Sequence, residues 1–162
     1  MRYFILIITV LFSTFFIALP SLAQTSLSLG GFSSNPDGPI EMTADKLTIS
    51  QSDGSAKFEG NVLISNGSLK INAQFVMVYY LETGGIKQLS ASGGVTVVNQ
   101  TESAEAKTAD YDLVSNSLVL GGGVLLTQGQ SAISADSMAI DLSTGEAIIE
   151  GRVRTVLSGE LE

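Results

Sequence analysis

The sequence predicts an all-β fold built from four repeats of about 29 residues. Residues 133–153, ISADSMAIDLSTGEAIIEGRV, repeat the pattern of residues 42–62, MTADKLTISQSDGSAKFEGNV. Apolar and polar residues alternate through the repeated region, and a period of two is typical of strands with one buried face. No proline follows Pro39, so every later backbone N–H is available for a β-ladder.

Each repeat is marked by an alanine and a later glycine. The four pairs are Ala44 and Gly60, Ala73 and Gly93, Ala106 and Gly122, and Ala135 and Gly151. The two residues are 16 positions apart in three units and 20 apart in the second. The extra four residues fall at 82–85, where a turn can lengthen. A fixed spacing with one insertion at a turn indicates a repeat architecture.

Within each unit, the apolar face changes phase by one residue at the alanine, as at a β-bulge or corner. The glycine keeps the inward phase, where it allows tight bending or the close approach of another strand. Two bent strands in each of four units predict about sixteen short strands. Turn chemistry is present at Asp53-Gly54, Asn66-Gly67 and Thr144-Gly145.

The chain divides into four segments. Residues 1–23 resemble a cleavable signal peptide, with Arg2, an apolar run at 4–19 and small residues before a cleavage point after Ala23. The alternative is an uncleaved membrane anchor, although that run is shorter than the ~20 residues of a spanning helix. Residues 24–39 are predicted to be a flexible lead, residues 40–157 the β-domain, and residues 158–162 a short tail. The signal peptide predicts export.

Composition excludes several function classes. The formal net charge of −8 disfavours binding to nucleic acid. The chain contains neither His nor Cys, which removes His-based acid–base catalysis, Cys nucleophiles and the usual zinc ligands.

Asp110 and Asp112 flank Tyr111 as a possible carboxylate pair, but they lie on the face opposite an apolar residue, where solvation is the simpler interpretation. Asp45 and Asp136 are replaced by Gln74 and Lys107 in the other units, which favours a corner hydrogen bond over catalysis. We therefore predict no enzyme activity, no metal and no cofactor.

The inward face has two interpretations that periodicity cannot separate. It is either a dry, packed core or an open apolar trough that holds acyl chains. The inward positions selected as candidates from the alternation are Ile49, Phe58, Val62, Ile64, Val95, Val97, Leu120 and Val124.

Four short motifs resemble those of the LptA/OstA family of periplasmic lipopolysaccharide-transport proteins. They are PIxMxADxL at 39–47, FxGNVxI at 58–64, GxxxIxA at 67–73 and YxL…LxG at 111–122. The resemblance implies an elongated, twisted antiparallel β-jelly roll, open at both ends, with lipid A acyl chains in its interior. Carried over by position, it adds lipid-facing candidates, which are Ile40, Met42, Val97, Tyr111 and Leu113.

The resemblance also implies partners. These are lipopolysaccharide, a fold-related inner-membrane protein of LptC type and an outer-membrane translocon of LptD type. Unpaired edge strands at residues 40–49 and 147–156 predict head-to-tail contacts with these proteins and with further copies of the chain. The candidate end contacts are Ile40, Leu47, Ile149 and Val153. The predicted function is a periplasmic lipopolysaccharide carrier, and the alternatives are a membrane-anchored LptC-like partner or a structural β-solenoid that binds no lipid.

Overall fold

The computed structural model describes residue 32, residues 34–35 and residues 37–157. The predicted signal peptide, the first part of the predicted lead and the short tail lie outside the described residues. The described part of the chain contains ten strands and no helix. The strands are β1 Glu41–Thr43, β2 Lys46–Ser50, β3 Ser55–Asn66, β4 Leu69–Tyr80, β5 Ile86–Asn99, β6 Glu102–Asp112, β7 Ser117–Gln128, β8 Ser131–Asp141, β9 Ala147–Glu150 and β10 Arg154–Val156.

All ten strands belong to one antiparallel sheet that does not close on itself. The order is β1-β3-β4-β5-β6-β7-β8-β10, with β2 also paired to β3 and β9 also paired to β8. Two short strands therefore lie end to end at each edge: β1 and β2 at the first, β9 and β10 at the last. The predicted all-β, antiparallel and unclosed architecture is confirmed.

The six long strands, β3 to β8, bend in the middle. Every ladder between them shifts register at the bend: in β3–β4 the shift falls between Glu59 and Val62, and in β7–β8 between Gly121 and Val124. Each shift leaves one extra residue on one of the two paired strands, which is a β-bulge. The predicted phase slip at the alanine is confirmed. The prediction that each long strand breaks into two short ones is wrong for β3 to β8. Each of these strands continues through its bulge, because the ladder resumes beyond it.

The line of bulges divides the sheet into two arms. The first arm contains β2, β9 and the halves of the long strands near Ser55 and Tyr80. The second contains β1, β10 and the halves near Asn66 and Leu69. Side chains from the concave faces of both arms form a single core cluster, which includes Val76 and Leu118 from the first arm and Ile64 and Val97 from the second.

The corner glycines are needed because another residue packs over them. Gly60 and Gly93 have φ values of 78° and 85°. A Cβ on Gly60 would lie 2.5 Å from Asp45 Oδ2, and a Cβ on Gly93 would lie 2.7 Å from Gln74 Cβ. Asp45 and Gln74 are both exposed, so these glycines lie on the outer side of the corner. The predicted inward position is therefore wrong, since the bulge rotates these residues out of the strand alternation, but the predicted close approach is confirmed.

The predicted turns are present at the tips of the arms. Gly54 and Gly67 have φ values of 58° and 62° between the strands they connect, and Gly145 has a φ of 74° between β8 and β9. The backbone N–H groups of Ser143 and Thr144 donate to Asp141 Oδ1 at 2.8 and 3.1 Å, which stabilises the turn after β8.

Candidate functional site

The concave face carries most of the candidate lipid-facing residues. Those buried in the core are Val62, Ile64, Val95, Val97, Tyr111, Leu120 and Val124. Those partly buried against it are Ile40, Met42, Phe58 and Leu113. The face is apolar because alternate residues of every strand point to it, and it is covered because the two arms pack on each other.

Ile49 differs from the other candidates because its side chain is 68% exposed. It pairs with Ala56, and the neighbouring inward residue Leu47 pairs with Phe58, so both lie on the concave face. Leu47 is itself 50% exposed. Ile49 is thus exposed rather than buried, and its lipid-facing role stays a prediction. The alternation fixes its face correctly, but β2 is at the sheet edge, where the concave face has less cover.

The other edge of the sheet is less regular than predicted. Residues 147–156 were expected to form one strand, but β9 ends at Glu150 and β10 begins at Arg154. Val153 lies in this interruption and is 51% exposed. Ile149 is half-buried and pairs with Met138 on the concave face. The first edge is interrupted in the same way between β1 and β2. Both interruptions fall at corners of the sheet. The edge strand pairs with a neighbour on one side only, and its ladder is broken where it bends.

Tyr111 belongs to a polar group at the tip of the first arm. Its hydroxyl donates to Asn116 Oδ1 at 3.4 Å, and Ser34 Oγ donates to the same oxygen at 2.7 Å. Asn116 Nδ2 donates to Ser143 Oγ at 2.9 Å. Burial raises the pKa of the Tyr111 phenol, because the tyrosinate would lose its hydration. The tyrosine is therefore a neutral core residue with one polar end.

Phe32 is a core residue that the sequence interpretation missed. It falls within the predicted flexible lead, yet its side chain is 1% exposed and belongs to the core cluster. Next to it in the described chain, Ser34 bonds Asn116, and the backbone N–H of Asn35 donates to Asn66 Oδ1 at 2.7 Å. This part of the lead is thus attached to the domain. A lone phenylalanine in a Ser- and Gly-rich stretch has no periodic signal that could have revealed this.

The sequence interpretation also missed a set of buried polar residues. They are Ser55, Asn66, Asn99, Glu102 and Asn116, and each lies at or next to a strand end near an arm tip. Glu102 Oε1 accepts a hydrogen bond from Gln128 Nε2 at 2.7 Å. The apolar interior therefore has a polar border, in which Asn66, Asn116 and Glu102 Oε1 have hydrogen-bond partners, whereas Asn99 Oδ1 and Glu102 Oε2 are buried without one in the part of the chain that the structure describes.

The two carboxylates beside Tyr111 have structural partners. Asp110 Oδ1 accepts a hydrogen bond from Ser90 Oγ at 2.6 Å. Asp112 Oδ1 accepts bonds from the backbone N–H groups of Val114 and Ser115, chiefly the latter, and these hold the pKa of Asp112 below its usual value. They do not converge on a shared site. Among the residues that the structure describes, no group of three or more Asp and Glu side chains is arranged to hold a metal ion.

The described residues also contain no helix that is long and apolar enough to cross a membrane. With this geometry established, the chain can be compared with known proteins. A family model described as the LptA/LptD N-terminal-domain LPS transport protein matches residues 41–146, which include strands β1 to β8. The chain belongs to this family.

Two relatives of this LptA-type chain show how far the sequence similarity extends. The lipopolysaccharide export system protein LptA of Escherichia coli K12 is 26% identical over 127 residues, covering 73% of this chain and 68% of that protein. An uncharacterized protein of Rhizobium meliloti is 29% identical over 154 residues, covering 87% and 83%.

The LptA-type fold is also found in a solved structure. The crystal structure of LptH from Pseudomonas aeruginosa, described as the LptA-homologous periplasmic component of the lipopolysaccharide transport device, matches with a TM-score of 0.70. The match covers 78% of this chain and 99% of that one, at 17% identity. The predicted β-jelly roll is thereby confirmed, and the predicted family resemblance is confirmed by the family match.

Proposed function

We propose that this LptA-type protein is a periplasmic carrier that shelters the lipid A acyl chains of lipopolysaccharide on their way from the inner to the outer membrane. The observation that carries the proposal is the concave apolar face. It begins with the exposed Leu47 and Ile49 at one edge, continues through the buried core, and reaches the half-buried Ile149 at the other. An apolar surface that is continuous between two open edges suits a linear lipid better than a compact ligand.

Acyl-chain burial supplies the affinity in this proposal. Each CH₂ group removed from water contributes about 0.8 kcal/mol. Contacts between exposed ionic groups contribute about 0–1 kcal/mol each, and the net charge of −8 opposes the binding of a phosphorylated headgroup. The apolar interior must therefore dominate binding, and the headgroup would remain outside it.

The two edges of the sheet are the proposed contacts with other proteins. β2 and β9 each pair with one strand only, so each leaves backbone groups on its other side for a further strand. We propose that like-folded domains add there, which are an LptC-like inner-membrane partner, an LptD-like translocon or another copy of this chain. Ile40, Leu47, Ile149 and Val153 are the proposed apolar contacts at these edges. Addition of copies would extend the concave face from one domain to the next.

A matched pair in β1 tests the lipid proposal. Met42 is half-buried on the concave face opposite Ile64, and the adjacent Thr43 is exposed on the outer face. The wild type, Met42→Asp and Thr43→Asp are each purified from their own cell envelope and examined by native mass spectrometry. We expect lipopolysaccharide to be bound by the wild type and by Thr43→Asp, and to be lost from Met42→Asp, because the new carboxylate faces the acyl chains.

The same experiment separates the carrier from its alternatives. Circular dichroism must show that Met42→Asp retains its β-structure. A wild-type protein that is free of lipid in every preparation would contradict the carrier and favour a structural β-solenoid with a dry core. A protein recovered with its N-terminus intact and in the membrane fraction would contradict signal-peptide cleavage and favour an anchored, LptC-like partner.

A further inference from the structure

The mouth of the jelly roll is the gap between the tips of its two arms, and a short piece of the lead spans it. Ser34 bonds Asn116, at the β6–β7 turn of the first arm. Asn35, the next residue, bonds Asn66, at the β3–β4 turn of the second. Successive Cα atoms are about 3.8 Å apart, so one dipeptide bridges the two arms.

Phe32 extends this bridge into the interior. Its ring is 1% exposed and belongs to the same cluster as the candidate lipid-facing residues of both arms. Within the described residues, Ser34 and Asn35 each make one hydrogen bond to an arm, and Asn35 is exposed. A buried aromatic anchor on an exposed, weakly attached segment is the construction expected of an element that can be released.

From this arrangement we infer that Phe32, Ser34 and Asn35 form an internal strap whose phenyl ring occupies acyl-chain space, and that lipid enters through the mouth by displacing it. The inference rests on the proposed function and adds a control step to it. The occupant is chemically suited to the role, because a phenyl ring and an acyl chain are both apolar and compete for the same dry surface. Lipid then binds only the open state, in which the strap has left the interior. The smaller the population of that state, the weaker the apparent affinity for lipid.

The strap can be locked with a single engineered disulfide. A Cβ at Gly67 would lie 3.3 Å from Asn35 Cβ, just below the ~3.5–4.5 Å that disulfides require. The natural chain has no cysteine, so Asn35→Cys with Gly67→Cys introduces the only two thiols. Both positions are exposed, and the bond from the Asn35 backbone to Asn66 does not involve the replaced side chains. We expect the oxidised double variant to bind purified lipopolysaccharide at least about tenfold more weakly than its reduced form.

The two single variants, Asn35→Cys and Gly67→Cys, are the controls for substitution and redox treatment. Each should bind lipopolysaccharide equally well with and without reductant. Equal binding by the oxidised and reduced double variant, with the disulfide verified by mass, would overturn the strap. No binding by the wild type would instead overturn the proposed function and, with it, the strap that depends on it.

A second measurement reports the position of residue 32 directly. The chain contains no tryptophan, so Phe32→Trp provides the only indole. Its emission should be that of a buried indole in the free protein and should move to longer wavelength when lipopolysaccharide is added, because the displaced ring enters water. Emission that stays at the buried position while lipid binds would overturn the inference. Phe32→Ala should bind lipopolysaccharide several-fold more tightly, since no ring has to be displaced.

Discussion

Arg152 and Asp136 form an ion pair across the last corner of the sheet. Arg152 Nε donates to Asp136 Oδ1 at 3.0 Å, and Arg152 Nη2 donates to the same oxygen at 2.5 Å. The first corner has an equivalent contact, in which Asn61 Nδ2 donates to Asp45 Oδ2 at 2.8 Å. The corner hydrogen bonds expected of Asp45 and Asp136 are therefore present, and both lie at edges of the sheet.

The two middle corners are built differently. Gln74 and Lys107 take the place of the aspartates, and Gly94 and Gly123 take the place of Asn61 and Arg152. These corners lie within continuous ladders on both sides, whereas the edge corners have a partner on one side only. The side-chain hydrogen bonds between corner residues are thus found at the edges of the sheet, where the ladder on one side is missing.

The ion pair predicts a specific pH dependence. The Arg152 side chain holds the pKa of Asp136 below its usual value, so the pair stabilises the fold above the unfolded-state pKa of about 4. That stabilisation is lost as pH falls through the lower folded-state pKa. We expect Arg152→Ala to be less stable than wild type near pH 6 and equal to it near pH 2, as measured by urea unfolding across this range. Arg154 does not contact Asp136, so the stability difference between Arg154→Ala and wild type should not disappear at low pH. A wild-type advantage over Arg152→Ala that persists at pH 2 would contradict the prediction.

Adjacent glycines at the second corner separate backbone strain from steric contact. Gly93 and Gly94 have φ values of 85° and 89°, but a Cβ would meet Gln74 at Gly93 and nothing within 4 Å at Gly94. Gly94→Ala should lose about 1–2 kcal/mol of unfolding free energy from the left-handed conformation alone. Gly93→Ala should lose about 1 kcal/mol more, since a backbone shift is needed to relieve the contact. Urea denaturation measures both, and equal losses would show that the packing over Gly93 is unimportant.

Tyr111 predicts an alkaline limit to stability. Because burial raises its folded-state pKa above the ordinary value of about 10, the unfolded chain ionises first as pH increases. Stability should be constant with respect to this group below about pH 10 and should fall as pH rises toward the folded-state pKa. Between pH 9 and 11 the melting temperature should therefore fall less in Tyr111→Phe than in wild type. The exposed Tyr79→Phe is the control and should melt like wild type throughout; a decline of equal size in Tyr111→Phe would refute the assignment.

Neighbouring residues of β2 test the proposed end contacts. Leu47 and Thr48 are both exposed, but Leu47 lies on the concave face and Thr48 on the outer face. A head-to-tail contact does not close, so wild-type assembly should grow with concentration rather than stop at a dimer. Leu47→Asp should weaken assembly by about tenfold or more in sedimentation velocity, because its carboxylate would be buried between domains. Thr48→Asp should assemble like wild type, and a wild type that stays monomeric at every concentration would exclude the edges as working contacts.

Much of this architecture could be predicted because its determinants are local. Alternation assigns a face to each residue of a strand, as it does correctly for Val97 and Leu120. The recurring alanine and glycine locate the corners, since a bulge must recur at the same place in every paired strand for the ladder to continue. Asn66-Gly67 locates a hairpin because its glycine accepts positive φ at little cost.

What covers each face was decided by tertiary structure alone. Ile49 and Val97 have the same inward phase, but β2 is an edge strand and β5 is central, so one side chain is exposed and the other is fully buried. Gly93 follows the inward alternation, and the bulge nevertheless turns it outward beneath Gln74. Phe32 has no local pattern at all, and it is buried because two arm tips distant in sequence, at Asn66 and Asn116, hold the chain beside it. Periodicity records the direction of a side chain, whereas burial depends on which distant residues pack against it.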